Sequence, residues 1–472
     1  MFSPLSAIVR RAPVTVPLDA TVRQALETME RARSASVVVV DRDGRIPLGT
    51  FTLHDLVGRV TLPGGDLAAP VAAVMTSGLV TLPPQATAHH AALTMARNAV
   101  QELAVVDAEG TLVAVVTQND LFGLQRAGVE EVSNDIQGAA DVEGLRRAAR
   151  GIRRLTEDLL AQGISVETLT HYISTLNDLL TVRIIDLTAE EHDLPPVPMC
   201  WIALGSEGRL EQTFATDQDN GIVFDAAPSD AEGVRAALLP FARSVNERLD
   251  ACGFPLCEGN VMASNPEWCL PLEAWRRTFL RWIETPDPQA VLNSAIFFDL
   301  RPVYGQAALA ERLRSAVVAA AARRPMFLRH MAEEALTCRP PLGWIRDFAY
   351  DRSREFPRTI DLKKHGSRIF VDAARILALA HEVPHTSTAE RLRAVERHVG
   401  FGEESLQAIV DGFYFVHLIR LRSQVDPARR GGAANRIDPA ELNDLDRHVL
   451  KEAFRQAKRL QTRLALEYQL TS

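Results

Sequence analysis

The chain has 472 residues, more than one hydrophobic core organises, so about three domains are expected. Hydrophobic residues make up 47% and charged residues 24%, with 26 prolines and 27 glycines spread along the chain, which argues against extended disorder and low-complexity linkers. A net charge of -8 removes the global cationic field that general nucleic-acid binding needs, no run of about 18 apolar residues offers a membrane span, and five cysteines without a CxxC pair suggest neither a disulfide framework nor a zinc ribbon.

No apolar stretch of signal-peptide length follows Arg10-Arg11, so a cytoplasmic protein is expected. The N-terminal region is an internal repeat. Val14-Thr15-Val16-Pro17 returns as Val80-Thr81-Leu82-Pro83, and Ala20-Thr21 returns as Ala86-Thr87, 66 positions on. The offset continues through Ala25/Ala91, Met29/Met95, Val39-Val40-Asp41 against Val105-Val106-Asp107, and Gly44/Gly110. After one extra residue near Pro47 the copies close as Thr52-Leu53-His54-Asp55 and Thr117-Gln118-Asn119-Asp120. Each copy reads as an extended segment, a helix, a β-branched strand (36–40 and 103–106), a turn, a second strand and a closing helix. One such unit is too small to bury both faces of its sheet, so the two are expected to pack together.

This order and spacing resemble a CBS domain pair over residues 1–125. The resemblance implies a cleft for AMP, ADP or ATP, with Thr52, Asp55, Thr117 and Asp120 as ligand candidates, and a homodimer formed through the pair. Thr-x-x-Asp is equally a helix N-terminal cap, so both readings stand at this point.

Residues 126–195 change to a helical period. Leu145, Ala148, Ala149, Ile152 and Leu155 form one stripe, and Leu169, Ile173, Leu176, Leu180 and Ile184 a second, with Gly163 between them and Pro195-Pro196 as the stop. This connector is expected to pack on the domain C-terminal to it and to relay the state of the repeat to that domain.

Met199 to Gly208 reads as a strand running into a glycine-rich turn, Gly205-Ser206-Glu207-Gly208-Arg209. A second strand then begins at Thr216-Asp217-Gln218-Asp219. Gly205 and Gly208 permit close approach of backbone to a triphosphate, Ser206 sits where N–H groups at a helix start attract anions, and Arg209 offers a bidentate phosphate contact. Asp217 and Asp219, two apart on an extended segment, project to one face, where two carboxylates can hold Mg2+ or Mn2+.

Gly-Ser followed by Asp-x-Asp resembles the nucleotidyltransferase superfamily. The wider run Gly-Ser-x-Gly-Arg-x-Glu then Thr-Asp-x-Asp, with Val261-Met262-Ala263-Ser264-Asn265-Pro266-Glu267-Trp268 and Phe297-Phe298-Asp299-Leu300-Arg301-Pro302, is similar to the DUF294 family of signal-transduction nucleotidyltransferases. That branch is related to the protein-PII uridylyltransferases and the glutamine-synthetase adenylyltransferases. The resemblance implies an NTP substrate, a metal held by Asp217 and Asp219, and a substrate-binding role for the C-terminal helices. For a third carboxylate, Asp299 is the candidate because it closes an apolar segment, 295–298, read as a strand; Glu258 is the second choice, and an ion pair with Arg301 is the structural alternative for Asp299.

From residue 306 the pattern is helical, over 307–323, 360–382, 388–399, 403–424 and 439–470, the last opened by Asp438-Pro439-Ala440-Glu441 as cap and first turn. Lys363 and Lys364 could approach phosphates, and Arg429 to Asn435 reads as a connector.

The expected architecture is multidomain α/β and α: a tandem CBS unit (1–125), a helical connector (126–195), a mixed-sheet nucleotidyltransferase-like domain (196–305) and a helical substrate-binding domain (306–472). The expected activity is metal-dependent transfer of NMP from an NTP to an acceptor, such as a signalling protein, in the manner of the protein-PII uridylyltransferases that the chain resembles, with Asp217, Asp219 and Asp299 catalytic. The alternative is a nucleotide sensor that acts by partner binding without catalysis.

Overall fold

The computed structural model describes residues 5, 12–98, 100–343, 348–350, 355–426 and 434–470. Most of the Arg429 to Asn435 connector therefore lies outside the described residues. The chain forms two compact units, Met1–Glu131 and Val132–Ser472. None of the described helices is long and apolar enough to cross a membrane.

The first unit carries the repeat. Its first copy contains β1 (Thr15–Pro17), α1 (Val22–Ala32), β2 (Ser36–Val40), β3 (Pro47–Thr52) and β4 (Thr76–Ser77). Its second contains β5 (Thr81–Leu82), α2 (Ala88–Asn98), β6 (Glu102–Val106) and β7 (Leu112–Thr117), followed by α3 (Gln118–Gln137). In each copy a parallel pair is followed by an antiparallel one, and even the registers repeat: Thr15 faces Val38 as Thr81 faces Ala104. Both copies also break register at the same place, Val39/Val40 and Val105/Val106. Pro47 opens β3, a position where no ladder N–H is lost.

Each copy has its own core, around Val22, Met29, Val39 and Phe51 in one and Ala91, Met95, Val105 and Val116 in the other. Ser36 donates to the Glu102 carboxylate, and these two residues occupy equivalent places in the repeat. This bond ties the two copies together at equivalent strand starts.

The second unit opens with α4 (Val142–Ala161) and α5 (Val166–Ala189), whose buried stripes include Leu145, Ala148 and Ile152 on one and Leu169, Ile173, Leu176, Leu180 and Ile184 on the other. Gly163 turns the chain between them at φ +77, a left-handed value that favours glycine. A mixed sheet comes next in the order β10-β9-β8-β11, from β8 (Met199–Ala203), β9 (Asn220–Phe224), β10 (Cys269–Pro271) and β11 (Arg301–Gly305). β10 is parallel to β9, and β8 is antiparallel to both β9 and β11. Cys200, Trp201, Ile202, Ile222, Val223 and Phe224 are all buried, so both faces of the central strands are covered. α5 packs on β11, α6 (Ala231–Ala251) on β10, α7 (Leu272–Glu284) on β9 and β10, and α9 (Ala307–Ala322) on β8, β9 and β11, with α8 (Pro288–Phe297) following α7 in the chain.

The helical region adds α10 (Pro325–Thr337), β12 (Ile360–Asp361), α11 (Arg368–Ala380), α12 (Thr388–Val399), α13 (Glu403–Val425), β13 (Arg436–Ile437) and α14 (Asp444–Glu467). One apolar core runs from Cys200 and Val223 on the sheet to Leu460 and Leu464 on α14. Sheet and helices thus share their interior with no break near residue 305.

Three local expectations are corrected. Residues 295–297 belong to α8, not to a strand; Asp287 accepts from Ala290 N (2.7 Å) and Pro288 opens the helix, while a short apolar run buried on two sides has no period that separates strand from helix. The helix expected over 360–382 begins as β12 paired with β13, then makes a wide turn at Lys363–Ser367 before α11. Asp438 caps only the short turn Pro439–Glu441, and the long helix starts at Asp444, where Asn443 accepts from Asp446 N (2.8 Å).

Candidate functional site

Strand β8 ends in a one-turn helix, Gly205–Gly208, lying against the segment that enters β9. Leu204 N donates to Asp219 O (2.8 Å), which locks the turn to the acidic segment. Gly205 has φ +53, and a Cβ on it would stand 2.6 Å from Asp219 Oδ2. At Gly208 a Cβ would be 1.7 Å from the carbonyl oxygen of Asp299, so the turn packs on that backbone as well. Glycine is required at both places for contact, before any ligand is considered.

Along 217–220 the side chains alternate. Gln218 and Asn220 point inward: Gln218 Nε2 donates to Asn246 O (2.9 Å) and Phe254 O (2.8 Å), and Asn246 Nδ2 donates to Gln218 Oε1 (2.8 Å) and Asn220 Oδ1 (3.0 Å). Ala263 N and Ser264 N close the network on Asn220 Oδ1 and Asn246 Oδ1. This accounts for polar residues at two buried strand positions, and for the Val261 to Asn265 loop that they hold. Asp217 and Asp219 alternate with these two inward-facing side chains just before β9 begins, and Asp219 lies beside Gly205.

The charges there are unbalanced. Desolvation pushes the Asp219 carboxyl up to about 6; the Cys257 thiol (3.4 Å) and Lys363 oppose the rise, and Asp217 adds to it. Asp217 is 56% exposed and meets Lys363 Nζ at 3.8 Å. Burial, with Asp219 and Asp178 close by, drives Glu207 well above the ordinary carboxylate range, and Gln212 Nε2 donates to it (3.1 Å). Hard oxygen donors carrying excess negative charge suit a divalent cation. Among the described residues no three His, Cys, Asp or Glu side chains converge as a cage. Asp217 and Asp219 are oxygen donors of the kind that a hard divalent cation takes.

Two candidates change role. Asp299 follows α8 and is wholly buried, accepting from Arg209 Nη1 (2.6 Å), Arg375 Nε (3.0 Å) and Nη2 (2.6 Å), and Arg391 Nη1 (2.6 Å). Burial alone would raise its pKa, but Arg375, Arg391 and Arg209 hold it well below the usual range. Its oxygens are spent on guanidinium groups, so the expectation of a third metal ligand or acceptor base is corrected. Its pairing with Arg301 is corrected too: Arg301 binds Asp178 (2.8 Å) and Glu207 O (3.0 Å). Arg209 is likewise engaged, with Glu211 (2.7 Å) and Asp299 (2.6 Å), and is not free to clamp a triphosphate. Glu258 is exposed on the loop next to Cys257, and Lys364 is exposed beside Lys363.

Sequence reasoning passed over Cys257, Arg375, Arg391, Arg420 and Gln424. The available signal was an arginine on the apolar stripe of a helix, as at Arg391 between Ala389 and Leu392, all three buried.

In the repeat, Thr52 and Thr117 each cap the following helix. Asp55 Oδ2 accepts from Thr52 N (3.0 Å) and Oγ1 (2.8 Å), and Asp120 Oδ2 accepts from Thr117 N (2.8 Å) and Oγ1 (2.8 Å). Asp55 is 5% exposed and its other oxygen accepts from Thr76 Oγ1 (2.9 Å). Asp120 is exposed.

Family models match along the chain. Residues 5–61 and 71–126 match the CBS domain, residues 150–289 match "Putative nucleotidyltransferase DUF294", and residues 325–468 match "Putative nucleotidyltransferase substrate binding domain". Residues of the N-terminal region are 29% identical to a CBS domain-containing protein of Bacillus subtilis over 27% of this chain and 84% of that one. They are 33% identical to part of the inosine-5'-monophosphate dehydrogenase of Aquifex aeolicus, over 23% of this chain and 22% of that enzyme. A CBS domain protein of Pyrobaculum aerophilum, solved with AMP, is 27% identical over 25% of this chain and 89% of its own, with a TM-score of 0.24.

Proposed function

The chain belongs to the DUF294 nucleotidyltransferases, with a CBS pair ahead of the transferase and substrate-binding domains, and from that premise we propose that it transfers NMP from an NTP to an acceptor under control of an adenine nucleotide. The observation that carries the reading is Asp219 packed against Gly205, with Asp217 two residues before it and Lys363 beside Asp217. In the transfer, an acceptor nucleophile bonds to the α-phosphorus as the bridging P–O bond breaks and pyrophosphate leaves; the acceptor proton passes to solvent. A divalent cation at the two aspartates supplies neutralisation of phosphate charge when bound. The chain's own part is to hold the turn rigid through Gly205 and Gly208 and to present Lys363, Lys364 and the Ser206 backbone to the phosphates. The acceptor we propose is a signalling protein of the protein-PII type, and the assembly a homodimer through the CBS pair.

Control would travel through α5. Its Asp178 binds Arg301, which holds Glu207 O, and its Asn177 and Ser174 bond to Gln212 (3.2 and 3.3 Å), which in turn contacts Glu207. A second reading, a sensor that binds nucleotide without turnover, is favoured by one observation: the enclosure of Asp299 among three arginines.

The test is incubation of the full chain with α-labelled NTPs, Mg2+ and a cell extract. Label transfer that disappears in Asp217→Asn supports the enzyme. Binding without transfer across varied acceptors supports the sensor.

A further inference from the structure

Helix α13 changes character along its buried face. Leu406, Ile409, Val410, Phe413 and Val416 are apolar, but His417, Arg420, Ser423 and Gln424 are buried as well. Four polar side chains turned inward at one end of a helix require partners. Arg420 is the costly one, because it is 5% exposed and charged.

The other buried arginines of this interface face carboxylates: Arg375 and Arg391 bind Asp299, and Arg209 binds Asp299 and Glu211. Among the described residues Arg420 has neutral hydrogen-bond partners only. Its Nε and Nη2 donate to Asn435 Oδ1 (3.1 Å each) and its Nη1 donates to Ser367 Oγ (3.1 Å). Three of five N–H groups are used, leaving one on each terminal nitrogen. Burial lowers its pKa to about 10, and Asp361 and Glu211 compensate only through space.

Its surroundings tie it to the candidate site from two sides. Ser367 ends the turn that begins at Lys363, the residue that reaches Asp217. Gln424, one turn past Arg420, accepts from Ala215 N (3.3 Å) two residues before Asp217, and donates to the same Asn435 Oδ1 (2.9 Å). The guanidinium therefore stands behind both elements that carry the site's charges. A guanidinium that keeps an unspent N–H on each terminal nitrogen can still donate to phosphate oxygens.

We infer that Arg420 is an anion-binding residue of this site, its ligand a phosphate of a polyphosphate chain. The inference rests on the nucleotidyltransferase reading for the identity of that chain as the NTP's. It adds to that reading the residue that discriminates triphosphate from monophosphate, and it assigns the C-terminal helices to the nucleotide itself.

The experiment uses the full chain and Arg420→Met, with Arg420→Lys as the conservative variant. Calorimetry gives affinities for a non-hydrolysable NTP, inorganic tripolyphosphate and AMP, and thermal unfolding is recorded without ligand. AMP serves also as the probe of the CBS pair. The expected result for Arg420→Met is a loss of about 10- to 100-fold for NTP and tripolyphosphate, an unchanged AMP affinity and an unfolding midpoint no lower than wild type. Arg420→Lys is expected to recover part of the loss. A lowered midpoint with unchanged affinities overturns the inference and makes Arg420 a structural tie. So does a wild type with no affinity for tripolyphosphate. Label transfer by wild type together with unaltered polyphosphate binding in Arg420→Met sinks this inference alone, whereas Arg420-dependent polyphosphate binding without transfer under any acceptor sinks the transferase reading alone.

Discussion

Gly205 and Asp219 are fitted to each other: the carboxylate of Asp219 occupies the volume that a side chain on residue 205 would take, with 2.6 Å between Oδ2 and the position of that Cβ. Gly205 also has a left-handed φ of +53, a conformation that favours glycine. The glycine of the Gly-Ser pair thus has two independent reasons to be glycine, both local to the metal-binding candidate.

Gly205→Ala should therefore displace Asp219 while leaving the fold intact. The backbone conformation costs alanine about 1 kcal/mol, and the clash moves a carboxylate tip instead of a strand. Label transfer and Mg2+-dependent nucleotide binding are expected to fall at least about tenfold, with a denaturation midpoint only slightly reduced. Unchanged transfer in a folded Gly205→Ala protein would remove Asp219 from the site.

Asp219 also sets a pH dependence. Its folded-state pKa is raised to about 6 from 3.8, so at pH 5 the carboxyl is largely protonated and unable to hold a cation. At limiting Mg2+, cation binding should strengthen as pH rises through about 6, and saturating Mg2+ should move that rise to lower pH. The stability effect has the opposite sense: below 3.8 both states are protonated, and between 3.8 and about 6 only the unfolded chain ionises, which destabilises the fold. Asp219→Asn is then expected to stabilise the metal-free protein at pH 7 by on the order of 2 kcal/mol, and not at pH 4. Urea titrations at the two pH values, with chelator present, measure the difference.

Much of this was legible in the residues themselves. The repeat could be read because β1 and β2 recur as β5 and β6 at one offset, and the structure reproduces even the bulges at Val39/Val40 and Val105/Val106. The acidic pair was expected to open the second strand, but β9 begins only at Asn220, because Gln218 is held by side-chain bonds to Asn246 before the ladder starts. The role of Asp299 could not be read, since its three arginine partners come from residues 209, 375 and 391, and no local pattern joins positions so far apart. The same holds for Cys257 against Asp219, and for Gln424 against Ala215.

The Asp299 cluster gives a prediction about stability. Asp299→Asn leaves Arg209, Arg375 and Arg391 buried around a neutral amide, with only Glu211 and Asp372 nearby to compensate. Breaking a buried ion pair by removing one partner costs roughly 3 to 5 kcal/mol, so the variant should unfold at markedly lower denaturant. A metal ligand would behave differently: its loss would abolish transfer and leave the denaturation midpoint nearly unchanged. Equilibrium unfolding of the second unit, followed by tryptophan fluorescence from Trp201 and Trp275, separates the two outcomes.

The two closing aspartates of the repeat are expected to part ways for a similar reason. Asp55 is buried, bonds to Thr52 and Thr76 with both oxygens, and lies 3.5 Å from Arg59. Asp120 makes the same cap with one oxygen and stands exposed. Asp55→Ala should cost the first unit about 1 to 3 kcal/mol, from the lost cap and the stranded Thr76 hydroxyl. Asp120→Ala should cost at most about 1 kcal/mol, yet lower AMP affinity more than Asp55→Ala does once both are compared at temperatures where they remain folded. AMP titration by calorimetry on the two variants checks the order. Equal loss of affinity in both would mean that Asp55 leaves its cap to meet the ligand, and that the hydrogen bonds from Thr52 and Thr76 are exchanged on binding.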